Sequence, residues 1–129
     1  MEARTHYDLT AWQESMTLVE MAYAATRAFP ADELFGLTSQ IRRSAVSIPS
    51  NIAEGSERGS SKDFAHFLNI AKGSCGELRT QLYIARKLEL ITKPTFDATV
   101  KESKELSGML EGLRRSLLSR ISSKSKRST

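Results

Sequence analysis

The sequence predicts an all-α protein, an antiparallel up-down-up-down four-helix bundle, from three observations. Apolar residues recur at alternating spacings of three and four residues in four separate segments, which is the period of an amphipathic helix. The connections between these segments are short, and no segment shows the strict alternation of a half-buried strand. Amphipathic helices with short connections bury their apolar stripes most simply by packing as antiparallel neighbours.

The first predicted helix begins after Thr10, a residue suited to the N-cap, and ends at Phe29, before Pro30. We expect its apolar stripe to face the core. The stripe comprises Leu9, Trp12, Met16, Val19, Tyr23 and Thr26.

The second predicted helix contains Pro49, although an interior proline costs a helix about 3 kcal/mol. Proline could bend the helix so that its outer face meets a neighbouring subunit, or break it so that Ser50 and Asn51 cap a second short helix. Gly55 is expected to end the helix in a left-handed conformation. The core stripe comprises Leu37, Ile41, Ala45, Ile48 and Ile52.

An apolar strip on the outer side of this helix is the candidate oligomer interface. Val46, Pro49 and Ala53 lie about 100° to 160° from the core stripe, beside Arg42. An apolar strip on an outer face indicates a partner surface. We therefore expect copies of the chain to bind each other through Arg42, Val46, Pro49 and Ala53.

The third predicted helix begins after Ser60, which has capping-box spacing to Asp63. Its stripe comprises Phe64, Leu68, Ala71, Cys75, Leu78, Leu82 and Ala85.

The fourth predicted helix follows Pro94, with Thr95 as its cap. Its stripe comprises Val100, Leu106, Leu110, Leu113, Leu117 and Ile121.

The chain of 129 residues predicts one domain over residues 1–121, followed by a disordered basic tail over residues 122–129. A single cysteine, Cys75, cannot form an internal disulfide, and the N-terminus lacks an apolar run of signal-peptide length. No stretch reaches the length of a membrane span. We expect a cytoplasmic protein that does not bind membranes.

The titratable residues do not suggest an enzyme. A di-iron centre in a bundle needs two Glu-x-x-His pairs, whereas the sequence offers one carboxylate-x-x-His, at Asp63 and His66. Cys75 lies on an apolar stripe, where a thiol acts as a small hydrophobic group. We expect no catalytic residue, no metal, no cofactor and no small-molecule substrate.

A row of basic residues on the third helix is the candidate nucleic-acid site. Lys72, Arg79 and Arg86 recur every seven residues and span about 21 Å of one helix side. Such a row can follow a phosphate backbone. It could equally be a solvated flank or a partner of the acidic first helix. The full set of candidates is Lys72, Arg79, Tyr83, Arg86, Lys87, Arg114, Arg115 and Arg120.

A family resemblance is carried by two stretches, LTSQIRRSAVSIPSNIAEGSERGSSKDF and FLNIAKGSCGELRTQLYIARKLELI. They resemble the four-helix-bundle family encoded within intervening sequences of bacterial 23S ribosomal RNA genes. The resemblance implies a ring-like homo-pentamer with no established enzymatic activity. Related bundle proteins that accompany diversity-generating retroelements bind nucleic acid and a reverse transcriptase. We therefore expect a non-enzymatic protein that binds RNA or DNA; the alternative is a protein-only scaffold or accessory factor with no nucleic-acid contact.

Overall fold

Four helices account for most of the chain. The computed structural model describes residue 6 and residues 9–128, with side chains described up to residue 123. Helix α1 spans Thr10–Thr26, α2 spans Ser39–Glu57, α3 spans Ser61–Lys87 and α4 spans Lys93–Ser128. These bounds confirm an all-α protein.

The helices pack as a bundle around one core. Helix α3 packs against α2 and α4, and α1 packs against the same two helices. The described residues contain no β-strand. The antiparallel direction of successive helices stays a prediction. The largest fully buried apolar side chains are Leu18, Ile41, Ile48, Ile52, Leu68, Leu78, Leu82, Leu106 and Leu110.

The core face of α1 differs from the predicted stripe. Trp12 and Val19 are half-buried and Met16 and Tyr23 are exposed, so these four side chains lie at the edge of the core. Small residues occupy most of the core face because they let α1 approach its neighbours closely. The buried residues of α1 are Ala11, Ser15, Leu18, Ala22, Ala25 and Thr26.

Helix α2 continues through Pro49, so the predicted alternative of a helix break is wrong. Beside the proline, the side-chain amide of Asn51 donates to the backbone oxygen of Ser47 at 2.8 Å. The carbonyl that loses its helical donor to Pro49 is that of Ala45, four residues earlier, so this bond is an additional local contact of α2. Pro49 is buried, although it lines the same groove as Val46 and Ala53, whereas Val46 is 40% exposed.

Gly55 lies inside α2, so the prediction that it ends the helix is wrong. A Cβ atom at Gly55 would lie 2.7 Å from the Cβ atom of Phe67 and 3.1 Å from Cδ1 of Phe64. Glycine is required here because α3 approaches this point of α2 closely. The left-handed conformation belongs to Gly59, with a φ of 83°, in the turn between α2 and α3.

The predicted N-cap of α3 is confirmed. The hydroxyl oxygen of Ser60 accepts a hydrogen bond from the backbone N–H of Asp63 at 3.1 Å. Every residue of the predicted α3 stripe is buried except Phe64, which is half-buried. The apolar period alone therefore located the core face of this helix.

Helix α4 begins at Lys93, so the predicted cap at Thr95 is wrong. The backbone N–H of Phe96 donates to the carbonyl oxygen of Thr92 at 2.9 Å, which places Thr92 before the first turn. Pro94 lies inside that turn, where its missing N–H needs no partner.

Helix α4 extends into the segment predicted to be a disordered tail. Residues 122–128 are helical, and Thr129 lies outside the described residues. No proline or glycine after Gly112 interrupts the helix. The domain boundary at residue 121 stays a prediction.

Candidate nucleic-acid and oligomer interfaces

Three basic side chains surround Glu111 on the α3–α4 face. Lys72 Nζ lies 3.1 Å from Glu111 Oε1, and Arg114 Nε lies 2.9 Å from the same oxygen. Arg115 Nε donates to Glu111 Oε2 at 2.9 Å. Hydrogen bonds from Arg114, Lys72 and Arg115 hold the pKa of Glu111 well below its usual range. One carboxylate neutralises only one of three cations, so this Glu111 cluster keeps excess positive charge.

The side chain of Arg79 is hydrogen-bonded to α4. Its Nη1 donates to the carbonyl oxygen of Ser103 at 3.2 Å, to the Ser103 hydroxyl at 3.0 Å and to the Ser107 hydroxyl at 3.0 Å. Ser103 in turn donates to the carbonyl oxygen of Cys75 at 3.3 Å. We call Arg79, Ser103 and Ser107 the polar seam. Its hydrogen bonds tie α3 to α4 and leave Arg79 little freedom to reach a phosphate.

The thiol of Cys75 lies against the polar seam. Burial raises the pKa of the Cys75 thiol, and contacts with Ser107, Arg79 and Ser103 act in the opposite direction. Cys75 is fully buried. A protonated, buried thiol serves packing rather than nucleophilic chemistry.

Arg86 and Tyr83 also contact the α4 side of the bundle. Arg86 Nη1 donates to the carbonyl oxygen of Ile91 at 3.2 Å, which braces the turn between α3 and α4. Tyr83 is exposed and packs edge-to-face on Phe96, with ring centroids 4.9 Å apart. Lys87 is exposed at the end of α3.

The structure therefore places Lys72, Arg79, Arg114 and Arg115 along the α3–α4 contact and gives them internal partners. Arg120, nine residues after Glu111, lies on the opposite side of α4. Among the contacts of the described residues, those of Lys72, Arg79 and Arg86 go to α4 or the preceding turn, and none goes to acidic α1. Arg120 is exposed farther along α4. Lys87, Arg115 and Arg120 are thus exposed candidates whose described contacts include none with another helix, and a role in binding stays a prediction for all eight.

Three of the four candidate oligomer residues line a groove between α1 and α2. We call it the α1–α2 groove; its volume is about 300 Å³. Val46, Pro49 and Ala53 form its α2 wall, and Trp12 and Met16 lie on its α1 wall. An open apolar groove of this kind is typical of a protein-binding surface.

Arg42 lies in a second groove that shares Val46 with the first. Its guanidinium carbon lies 4.5 Å from the centre of the Tyr23 ring, and its Nε donates to the Thr26 hydroxyl at 2.9 Å. These two contacts hold the side chain in one orientation. Arg42 thus packs on its own subunit at the edge of the candidate interface.

Sequence reasoning missed Phe35, which is 94% exposed in the turn before α2. Phe35 and Leu34 line the same groove as Arg42. The turn is kinked at Gly36 (φ −106°, ψ −112°), and the carboxylate of Glu33 accepts a hydrogen bond from the backbone N–H of Leu37 at 3.3 Å. In the sequence, the adjacent apolar residues Leu34 and Phe35 in a largely polar link could have indicated this exposed apolar site.

Within residue 6 and residues 9–128, no group of three His, Cys, Asp or Glu side chains is placed to hold a metal ion. Over the same part of the chain, no helix combines the length and hydrophobicity that a membrane span requires.

Four amphipathic helices with an open apolar groove and a basic face define a small helical-bundle protein with two candidate binding surfaces. Residues 7–112 match the sequence model of the 23S rRNA-intervening sequence proteins, and the chain belongs to this family. This confirms the expected resemblance.

A solved structure supports the same fold. It is the crystal structure of a protein of unknown function from the S23 ribosomal protein family of Bacteroides thetaiotaomicron VPI-5482. The two chains are 25% identical with a TM-score of 0.73, and the match covers 81% of this chain and 98% of the other. A comparison with curated proteins gave no match.

Proposed function

We propose that this protein is a non-enzymatic antiparallel bundle that assembles into a ring-like homo-oligomer and binds nucleic acid on its basic α3–α4 face. The family resemblance favours a pentamer. A reducing, cytoplasmic location fits the single, buried cysteine. The two parts of the proposal, assembly and binding, rest on different surfaces and are tested separately.

The observation that carries the binding proposal is the excess of positive charge in the Glu111 cluster. Beyond the cluster, residues 116–129 add four basic residues and no acid, and the backbone of α4 continues helical through residue 128. The stretch from Arg114 to Arg127 spans about 20 Å at the rise of an α-helix. A line of cations on a helix attracts phosphates without reading bases.

Fluorescence anisotropy with labelled RNA and DNA tests this binding. We expect affinity to fall steeply as salt rises, because phosphate binding releases counterions. The double variant Arg115→Glu with Arg120→Glu should lose most of it. The matched control, Arg27→Glu with Lys62→Glu, makes the same change in net charge at exposed positions outside this face and should lose little. Absence of salt-sensitive binding by the wild type would contradict the proposal.

The assembly proposal is supported by the α1–α2 groove, which leaves Met16 and Val46 exposed on a single chain. Burying such side chains against a second copy is favourable by about 25 cal/mol for each Å² of apolar surface. Light scattering after size exclusion measures the mass. We expect Val46→Glu to reduce it, whereas Ile70→Glu, at a position that is also 40% exposed, should leave it unchanged.

A protein-only scaffold is the second candidate. It is favoured by the internal contacts of Arg79 and Arg86, which satisfy basic groups within the fold. Assembly without salt-sensitive nucleic-acid binding would select it.

A further inference from the structure

A cleft with two aromatic rings lies between the end of α3 and the first half of α4. Its volume is about 370 Å³, and its lining includes Tyr83 of α3 together with Phe96, Lys101 and Lys104 of α4. We call it the aromatic cleft. None of its lining residues belongs to the Glu111 cluster or to the α1–α2 groove, so it is a third candidate binding surface.

The ring of Tyr83 keeps a large exposed surface in this cleft. Its side chain contacts the ring of Phe96 with centroids 4.9 Å apart and ring planes at 79°. A contact at this angle covers at most one face of the Tyr83 ring, and Tyr83 is 52% exposed. An exposed aromatic ring is a surface on which a flat ligand such as a nucleic-acid base stacks.

Lysines lie on both helices around the exposed ring. Lys101 and Lys104 are exposed where α4 lines the cleft. Lys87 is exposed on α3 and follows Tyr83 by about one helical turn, so it lies on the same side of that helix. Phosphates on either side of a stacked base would therefore meet a cation.

Two carboxylates also line the cleft, at Asp97 and Glu105. Lys93 Nζ lies 2.7 Å from Asp97 Oδ2, so Lys93 balances the charge of that carboxylate. The three lysines around the ring then outweigh the single negative charge of Glu105. The net charge is positive, which favours an anionic ligand over an acidic repulsion.

The aromatic cleft and the Glu111 cluster lie on nearly the same side of α4. Lys104 precedes Glu111 by seven residues, which is about 10 Å along the helix and a rotation of nearly two full turns. Lys72 and Arg114 meet Glu111 at that distance from the cleft. One nucleic-acid strand held by the cluster can therefore reach the cleft as well.

We propose that the aromatic cleft takes one unpaired base of a nucleic-acid strand, stacked on Tyr83, with neighbouring phosphates at Lys101 and Lys104. The inference rests on the proposed nucleic-acid binding and adds that the strand is single-stranded at this point. A base inside a duplex is already stacked and paired, so its faces are not available to Tyr83. Proteins that bind single strands combine a basic groove with aromatic stacking in the same way.

Fluorescence anisotropy at two salt concentrations tests this inference with the wild-type protein. The probes are a labelled single-stranded DNA, the RNA strand of the same sequence, and the DNA strand with abasic sites. The abasic strand keeps every phosphate, so its charge is unchanged. We expect both normal strands to bind more tightly than the abasic strand by about fivefold or more, the effect of one stacked base.

Variants at Tyr83 test which ring carries the effect. Tyr83→Leu keeps an apolar side chain against Phe96 but removes the ring, and it should weaken single-strand binding by about fivefold or more. It should leave binding of the matching duplex unchanged. Tyr83→Phe keeps the ring and should retain single-strand affinity. The matched control is Ile84→Ala, at a neighbouring position that is 43% exposed, and it should retain this affinity too.

The outcomes separate this inference from the proposed function. Salt-sensitive binding with equal affinity for normal and abasic strands would overturn the stacked base and leave the proposed function standing. Absence of salt-sensitive binding to every probe would overturn both. A lower mass of Tyr83→Leu in light scattering would place the ring at a contact between subunits and would overturn the stacked base. The abasic comparison needs no variant, so it decides the question even if a variant folds poorly.

Discussion

Replacing Gly55 by alanine should destabilise the protein, although alanine is the better helix former. An added Cβ atom would lie 2.7 Å from Phe67 Cβ and 3.3 Å from Phe64 Cα, both on α3. Neither atom is the far end of a flexible side chain. The clash is therefore relieved only if α2 and α3 move apart.

Two opposing effects determine the magnitude. Glycine to alanine inside a helix gains about 1 kcal/mol through backbone entropy. Overpacking a close contact costs about 1–3 kcal/mol. Because the approach is shorter than real Cβ contacts and involves rigid atoms, we expect the upper part of that range and a net loss of about 1–2 kcal/mol.

Urea unfolding of Gly55→Ala and Gly73→Ala measures the difference. Gly73 lies inside α3, and a Cβ atom there would meet nothing within 4 Å. Gly73→Ala should thus raise the free energy of unfolding by about 1 kcal/mol. The two variants should shift the midpoint in opposite directions. A Gly55→Ala variant as stable as Gly73→Ala would refute the close approach of α3 to α2.

Three further predictions concern single side chains. Ser60→Ala removes the N-cap of α3 and should cost about 1 kcal/mol in urea unfolding. Arg79→Met removes three hydrogen bonds to α4. It should lower the free energy of unfolding by about 1–3 kcal/mol in the same assay, because buried Ser103 loses its donor. An unchanged free energy of unfolding would show that the polar seam does not stabilise the fold. Glu111→Gln should lower the urea midpoint at neutral pH, because hydrogen bonds, the one from Arg114 first, lower the pKa of the Glu111 carboxyl. This stabilisation is present above the ordinary glutamate pKa and is lost in acid. The difference in urea midpoint between wild type and variant should therefore shrink as pH falls.

The apolar period predicted the long helices well and their ends less well. The stripes of α3 and α4 carry leucines, whose spacing identifies the buried face directly. On α1 the buried residues are small except for Leu18, so the spacing of the larger Trp12 and Met16 indicated the neighbouring edge instead. Gly55 looked like a helix end because its actual partner, Phe67, lies on another helix.

For the candidate nucleic-acid residues too, the sequence pattern did not predict contacts with another helix. Seven-residue spacing predicts that Lys72, Arg79 and Arg86 share one side of α3, and Lys72 and Arg79 both contact α4. Their partners could not be predicted, since Ser103 and Glu111 come from α4 and are distant in sequence. Local spacing predicts which face a side chain occupies, whereas its availability for a ligand depends on the packed neighbour.

The polar seam also determines how far along its axis α4 sits beside α3. An apolar interface alone tolerates sliding by one helical turn, about 5.4 Å, because leucines replace one another at similar cost. Because Ser103 and Ser107 are four residues apart, such a slide would put one serine in the place of the other and cost Arg79 one of its two hydroxyl acceptors. The seam thus selects a single axial register, and the same register brings Lys72 level with Glu111.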